Sequence, residues 1–184
     1  MPLTPPATRT PLHTRAITCS SYCRDDGLWD VEGHLTDTVA FDFEHTHRGT
    51  IKAGEPIHDM WIRLTVDRDL TVRNVEAVTD AGPYAICPAI TPAFARLEGT
   101  RVGKGWHRKV VELLGGVMGC THLVSLLRPI ATVAFNTVRH SGEGREGVLH
   151  TGPGGRPFQI DSCHALAADG DIVRQRWPEF HEGG

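Results

Sequence analysis

The hydrophobic pattern changes period near the middle of the chain. In "RAITCSSYCRDDGLWDVEGHLTDTVAFDF" two extended stretches flank Asp25-Asp26-Gly27, a turn composition that supplies the positive backbone angles a hairpin needs. Cys19 and Cys23 are four residues apart, so both fall on one strand face, where they read as small packing groups. "FDFEHTHRGTIKAGEPIH" (41–58) carries two glycines, a proline and many polar groups, and predicts a connection. In "MWIRLTVDRDLTVRNVEAVTD" Ile62, Leu64 and Val66 alternate with Trp61, Arg63 and Thr65. Val72 and Val75 follow a turn at 67–69, which makes this the clearest strand pair in the chain.

From Pro88 onward the apolar residues recur at helical spacing. "PAITPAFARLEG" predicts a short helix opened by Thr91-Pro92 and closed at Gly99. Trp106, Val110, Leu113 and Leu114 mark a second helix that runs into glycines suited to a C-cap. Leu123, Leu126, Leu127, Ile130, Ala131 and Ala134 form the stripe of a longer third helix, which Pro129 is expected to kink. The glycine-rich stretch 141–157 predicts a loop. "FQIDSCHALAADGDIVRQRWP" returns to strand-like texture around a turn at Asp169-Gly170. Strands first and helices after imply an α+β fold, an antiparallel sheet with helices packed on one face.

Length and charge narrow this picture. At 184 residues the chain predicts one α+β domain (15–184) preceded by an extended arm (1–14), whose prolines interrupt any signal-peptide core. Lys and Arg total 19 against 22 for Asp and Glu, so no field favours nucleic acid or an anionic membrane surface. No apolar run approaches the roughly 20 residues that span a bilayer. The expectation is a soluble, cytoplasmic protein with a small-molecule substrate, no nucleic-acid or membrane partner, and homo-oligomerisation left open. Five widely spread cysteines argue for reduced thiols rather than a disulfide framework. Eleven histidines keep metal binding and acid-base chemistry in play.

Four places could carry chemistry. In "GGVMGCTHLVSLLRP", Cys120 and His122 stand where glycines give way to a helix; unpaired amides and the positive dipole end there favour a thiolate, and Gly119 allows close backbone approach. In "GEPIHDMWIRL", His58 and Asp59 stand at the mouth of the best strand, facing opposite ways. Cys87 lies at the junction of strands and helices. In "FDFEHTHRG", His45 and His47 share one side of an extended segment, a spacing that metal and acid-base sites use. Phosphate-loop, dinucleotide, serine-elbow and His-Glu-X-X-His patterns do not occur, which lowers nucleotide-driven and serine-hydrolase functions.

The order of these stations resembles the IscU/SufU/NifU-like iron–sulfur scaffold proteins, over about 54–135. "HDMWIRLTVDRDLTVRNVEA" is similar to that family's Asp-containing strand pair at Asp59 and Met60, Cys87 matches its middle cysteine and Cys120 its late one. Ile57 and His58 stand where the family has a cysteine and a glycine, and His122 follows rather than precedes its cysteine. The resemblance implies an IscU-like core and convergence of these groups on one ion. "GCTHL" and "IDSCHALAADGDIV" also look like segments of an uncharacterised bacterial family; in the latter, either Cys163 or His164 is a further candidate for the Cys120 site.

The functional expectation is a small metal-dependent enzyme, lyase or hydrolase in type, acting on a small organic metabolite. A zinc or iron ion would be held by some of Asp59, Cys87, Cys120 and His122, with His45, His47 or His58 for proton transfer. The alternative is a non-catalytic metal-carrying or iron–sulfur-handling scaffold. A third reading uses no metal: Cys120 as a thiol nucleophile activated by His122 or His164.

Overall fold

The computed structural model describes residues 3–141 and 153–183. By its internal contacts the chain divides into two units, Met1–Ser141 and Gly142–Gly184.

The alternation read from the sequence builds the first unit. Strands β1 (His13–Cys23), β2 (Trp29–Val39), β5 (Pro56–Val66) and β6 (Val72–Ala81) form one antiparallel sheet in the order β1-β2-β5-β6. The turn at 25–27 joins the first pair, and Gly27 takes a positive φ there. On β2, Trp29, Val31 and Leu35 are buried; on β5, Met60, Ile62, Leu64 and Val66 are buried in the same phase. Residues between them face the other side, as a pleat requires. The stretch expected only to connect β2 and β5 carries a small hairpin of its own, β3 (Phe43–His45) and β4 (Gly49–Ile51), fastened by Ile51, which is fully buried.

Two α-helices of this unit are α1 (Trp106–Leu114) and α2 (Thr121–His140). Helix α2 lies across β1, β2 and β5 and buries Leu123, Leu126, Leu127, Ile130 and Ala134 against them. Its stripe matches the sequence expectation, and the helix continues through Pro129. Gly33 makes the close approach possible: a Cβ there would stand 2.6 Å from Ile130 Cδ1. The segment expected to begin a helix at Thr91-Pro92 is instead a run of 3-10 turns, Cys87–Leu97, with Pro88 in its first turn and Pro92 inside it. Lacking an N–H, Pro92 suits that shorter-period geometry better than a helix interior. The first unit is therefore α+β, with its helices on one face of an antiparallel sheet. No helix among the described residues is long and apolar enough to cross a membrane.

The second unit corrects one expectation. Residues 157–177 form turns and a short helix, α3 (Asp171–Arg176), where a strand-like segment was predicted. Asp161 explains the difference. It takes a positive φ of 64°, accepts the Ala168 N–H at 2.9 Å and pairs with Arg156, so the chain folds back on itself instead of extending. Ile160, Ala168 and Val173 pack with Trp177 and Phe180 around this turn. Most of the expected glycine-rich loop lies outside the described residues.

Candidate functional site

Three strands place one polar row on the helix-covered face. Arg15 on β1 lies directly opposite Asp37 on β2, and Asp37 lies directly opposite His58 on β5. His13, two residues before Arg15, shares that face. Just past the row the β2–β5 register shifts, with Thr38 pairing Pro56 and Ile57 left over, the local irregularity that sheets often carry beside functional groups. Helix α2 then delivers His122 from above through its first turn.

Asp37 is the centre. Only 1 % of its surface is exposed, yet it lies among four basic groups. The Arg15 guanidinium donates from Nε and Nη2 to its two oxygens, each at 2.7 Å. His13 Nε2 is 3.2 Å from Oδ1, and His58 Nδ1 is 3.1 Å from Oδ2. The last contact is an electrostatic one only: its geometry is not that of a hydrogen bond, and His58 Nδ1 is left buried without a hydrogen-bond partner. The rings of His58 and His122 stack with centroids 3.6 Å apart. Asp37, His58 and His122 each offer one donor atom, and these all lie within 4.8 Å of one another.

Burial and charge set the protonation of this group. Burial pushes the Asp37 carboxyl up, but the paired Arg15, with smaller contributions from His58 and His13, more than reverses this and leaves it below its ordinary value. His58 is held below the usual imidazole value by burial and then by His122, against the pull of Asp37. His122 is lowered by burial and by the Arg15 charge, again against Asp37. At neutral pH the site is an ionised carboxylate beside two neutral imidazoles, the states in which all three can ligate a metal.

The residues singled out from the sequence divide sharply. His58 and His122 meet. Cys120 is the N-cap of α2 and its Sγ is 3.9 Å from His122 Nδ1, but it makes no capping hydrogen bond, so the free amides do not hold the sulfur as expected. Gly119 does allow a close backbone approach: a Cβ there would fall 2.3 Å from the Leu114 carbonyl oxygen. Asp59 projects to the opposite face of the sheet, where its Oδ1 is 2.7 Å from His34 Nε2, because adjacent strand residues cannot share a face with His58. Cys87 packs beside Gly82. His45 and His47 stand on the small hairpin around Tyr84, with ring centroids 5.9 and 5.1 Å away. Cys163 and His164 belong to the second unit, where Cys163 is exposed and His164 begins a 3-10 turn.

Asp37, Arg15 and His13 are members of this cluster that the motif reading does not name. A signal existed. In "WDVEGHLTDTV" the buried phase runs Trp29, Val31, Gly33, Leu35, and the next residue in that phase is Asp37. An acid in the buried phase of a strand must have partners.

No curated protein and no solved structure matches the chain, so the comparisons give no support to an iron–sulfur scaffold likeness across 54–135. A family model described as "Protein of unknown function (DUF2889)" matches residues 13–136, which take in the sheet, α1, and α2 through its first sixteen residues, with every member of the Asp37 group. With more than half its length matched, the chain belongs to that family.

Proposed function

We propose that the protein is a metal-dependent enzyme that holds a zinc or iron ion with Asp37, His58 and His122 and acts on a small organic substrate. The supporting observation is the convergence of one carboxylate and two imidazoles from β2, β5 and α2 on one point. Two ligands of a tetrahedral ion, each about 2.1 Å from it, stand roughly 3.4 Å apart. The 3.1 Å between Asp37 Oδ2 and His58 Nδ1 is close to that spacing, and no hydrogen bond at Nδ1 has to be broken for the nitrogen to ligate. Arg15 orients the carboxylate as an outer partner does. Cys120, touching His122, positions that ring.

Three protein donors leave coordination positions for water or substrate, the arrangement of catalytic rather than structural sites. A substrate oxygen bound there would be polarised, and His13, half exposed and 3.2 Å from Asp37, stands nearest the rim for proton transfer. Lyase and hydrolase steps both use this apparatus. A carrier or scaffold role would instead close the site with Cys120 as a fourth ligand.

The test is elemental analysis and calorimetric titration of the untagged full chain with Zn²⁺ and, without oxygen, Fe²⁺. One equivalent is expected to bind. His58→Gln and His122→Gln should each weaken binding by about 100-fold or more, beyond the loss usual for an outer partner, while Asp59→Asn should leave it unchanged. Unchanged binding in the double His58→Gln, His122→Gln variant would overturn the assignment. A wild-type chain that binds neither ion would favour a second reading, metal-free acid-base catalysis by His58. The Arg15 fork on both Asp37 oxygens speaks for it, since that guanidinium opposes a second cation nearby.

A further inference from the structure

An open sheet has two edges, and this one treats them differently. The β6 edge is closed by its own chain: Val72 exchanges backbone hydrogen bonds with Gly99 and Thr100, Thr71 bridges Arg101, and Glu98 Oε1 accepts the Val75 N–H at 3.3 Å. The β1 edge stands open along eleven residues, His13–Cys23, which pair with β2 without a register shift.

The hydrogen-bond phase identifies the groups left over. Ala40 donates to the Leu12 carbonyl at one end of the β1–β2 ladder, and Arg24 donates to the Leu28 carbonyl at the other. Both ends set the same phase: Thr14, Ala16, Thr18, Ser20 and Tyr22 spend their backbone groups on β2, and the residues between them turn theirs outward. Among the described residues, the backbone N–H and C=O groups of Arg15, Ile17, Cys19 and Ser21 meet no partner. Natural edges are blunted by proline, by lysine or by a bulge, and this strand has none of the three. Its one fixed charge, Arg15, is tied to Asp37, and Ile17 leaves 40 % of its surface in water.

We infer that β1 pairs antiparallel with β1 of a second copy, about a twofold axis at Thr18, and joins two sheets into one. The strand is self-complementary in that register. Its outward residues meet as His13 with Cys23, Arg15 with Ser21 and Ile17 with Cys19, so every hydrogen-bonded pair falls on unused groups and the whole strand takes part. No like charges stand opposite each other. On the open face Thr18 meets its own copy and Thr14 meets Tyr22, combinations of β-branched and aromatic groups that sheets favour. An axis at Ile17 or at Cys19 keeps the phase but pairs only 13–21 or 15–23. Helix α2 lies over β2 where Ile130 meets Gly33, so its two copies stand three strand spacings apart, roughly 14 Å, more than packed helices need, about 8–10 Å. With the β6 edge covered, pairing ends at two copies.

The test is sedimentation equilibrium of the full chain without added metal. One strand pair is a small interface, so over about 1 to 200 μM the mass should rise from 20.1 kDa to twice that value, with a dissociation constant on the order of 10 μM. Ile17→Pro deletes an outward N–H and no bond to β2, so it should weaken association at least about tenfold and leave the urea midpoint of the monomer in place. Thr18→Cys, in a Cys23→Ser, Cys163→Ser background, sets two thiols at a non-hydrogen-bonded pair with Cα atoms about 4.5 Å apart, a separation that a disulfide spans. It should cross-link with oxidised glutathione. Ala16→Cys in the same background should not, because its copies lie about 13 Å apart along the strands. A chain that stays monomeric throughout, as it would if a strand of another protein were the occupant, overturns the assignment. So does a dimer that Ile17→Pro does not weaken, or cross-linking no faster in Thr18→Cys than in Ala16→Cys. His58→Gln leaves the edge untouched and should associate like the wild type, which separates this result from failure of the metal site.

Discussion

Strands β2 and β5 carry a histidine–aspartate pair on each face of the sheet, and the two pairs behave in opposite ways. On the open face, His34 and Asp59 make a 2.7 Å hydrogen bond, and His34 stacks on Trp61 at 3.7 Å and 7°. Both side chains keep about a quarter of their surface in water. That pair is complete in itself. On the covered face, Asp37 is out of water and spends its hydrogen bonds on Arg15, and His58 keeps a buried nitrogen with nothing to bond. The residue types are the same on both faces, so the difference comes from what lies above them. A helix removes water on one side, and a carboxylate deprived of water recruits a cation and leaves the imidazole unsatisfied.

The largest test of this contrast is a matched pair of amides. Asp37→Asn removes the charge of the buried carboxylate, while its partner Arg15 stays 39 % exposed and can turn to water, so the change should cost about 2 kcal/mol in urea unfolding. Asp59→Asn on the wetter face should cost under about 1 kcal/mol. Equal costs would mean that the helix does not distinguish the faces.

Next in size is Gly33→Ala. The new Cβ would fall 2.6 Å from Ile130 Cδ1 and 2.8 Å from its Cγ1, so Ile130 must change rotamer or α2 must lift. The cost of overpacking is offset in part by the stiffer unfolded chain, for a net loss of about 1 kcal/mol in the same assay. Lifting α2 should also weaken the proposed metal binding at His122, which an unrelated mutation of equal cost would not do.

The smallest effect is in pH. His58 and His122 have native values below those of the unfolded chain, so between the two values the unfolded chain binds more protons, and stability falls as pH is lowered through that window from about 6.5 downward. The urea midpoint should therefore drop between pH 7.5 and pH 5, and drop less in His58→Gln. A midpoint insensitive to pH in the wild type would show that the imidazoles are not held neutral by burial.

Much of the scaffold is legible in the sequence, because it rests on local periods. The alternation through Ile62, Leu64 and Val66 and the stripe from Leu123 to Ala134 each dictate which side is buried. The site is legible only in part, because it is assembled across three strands and a helix. His58 and His122 stand out by type and position. Asp37 does not, since it lies within an ordinary strand and its meaning depends on a register that no local pattern supplies. The same phase that buries Met60 assigns His58 to the helix side and Asp59 to the other, so that error was correctable from alternation alone. The second unit misled for a related reason: one left-handed aspartate at 161 reverses the chain, and nothing in its neighbours announces that choice.

The apolar stripe of α2 has a consequence for how this chain can vary. An α-helix advances about 100° per residue. The buried stripe Leu123, Leu126, Leu127 and Ile130 fixes the rotation of α2, so adding a single residue between His122 and Leu123 would swing His122 about a quarter-turn away from β5. Such an insertion should separate shape from chemistry: the chain would still fold into its sheet and helices, yet have no second imidazole to offer beside His58, whereas a residue added within 115–119 is taken up by the connection.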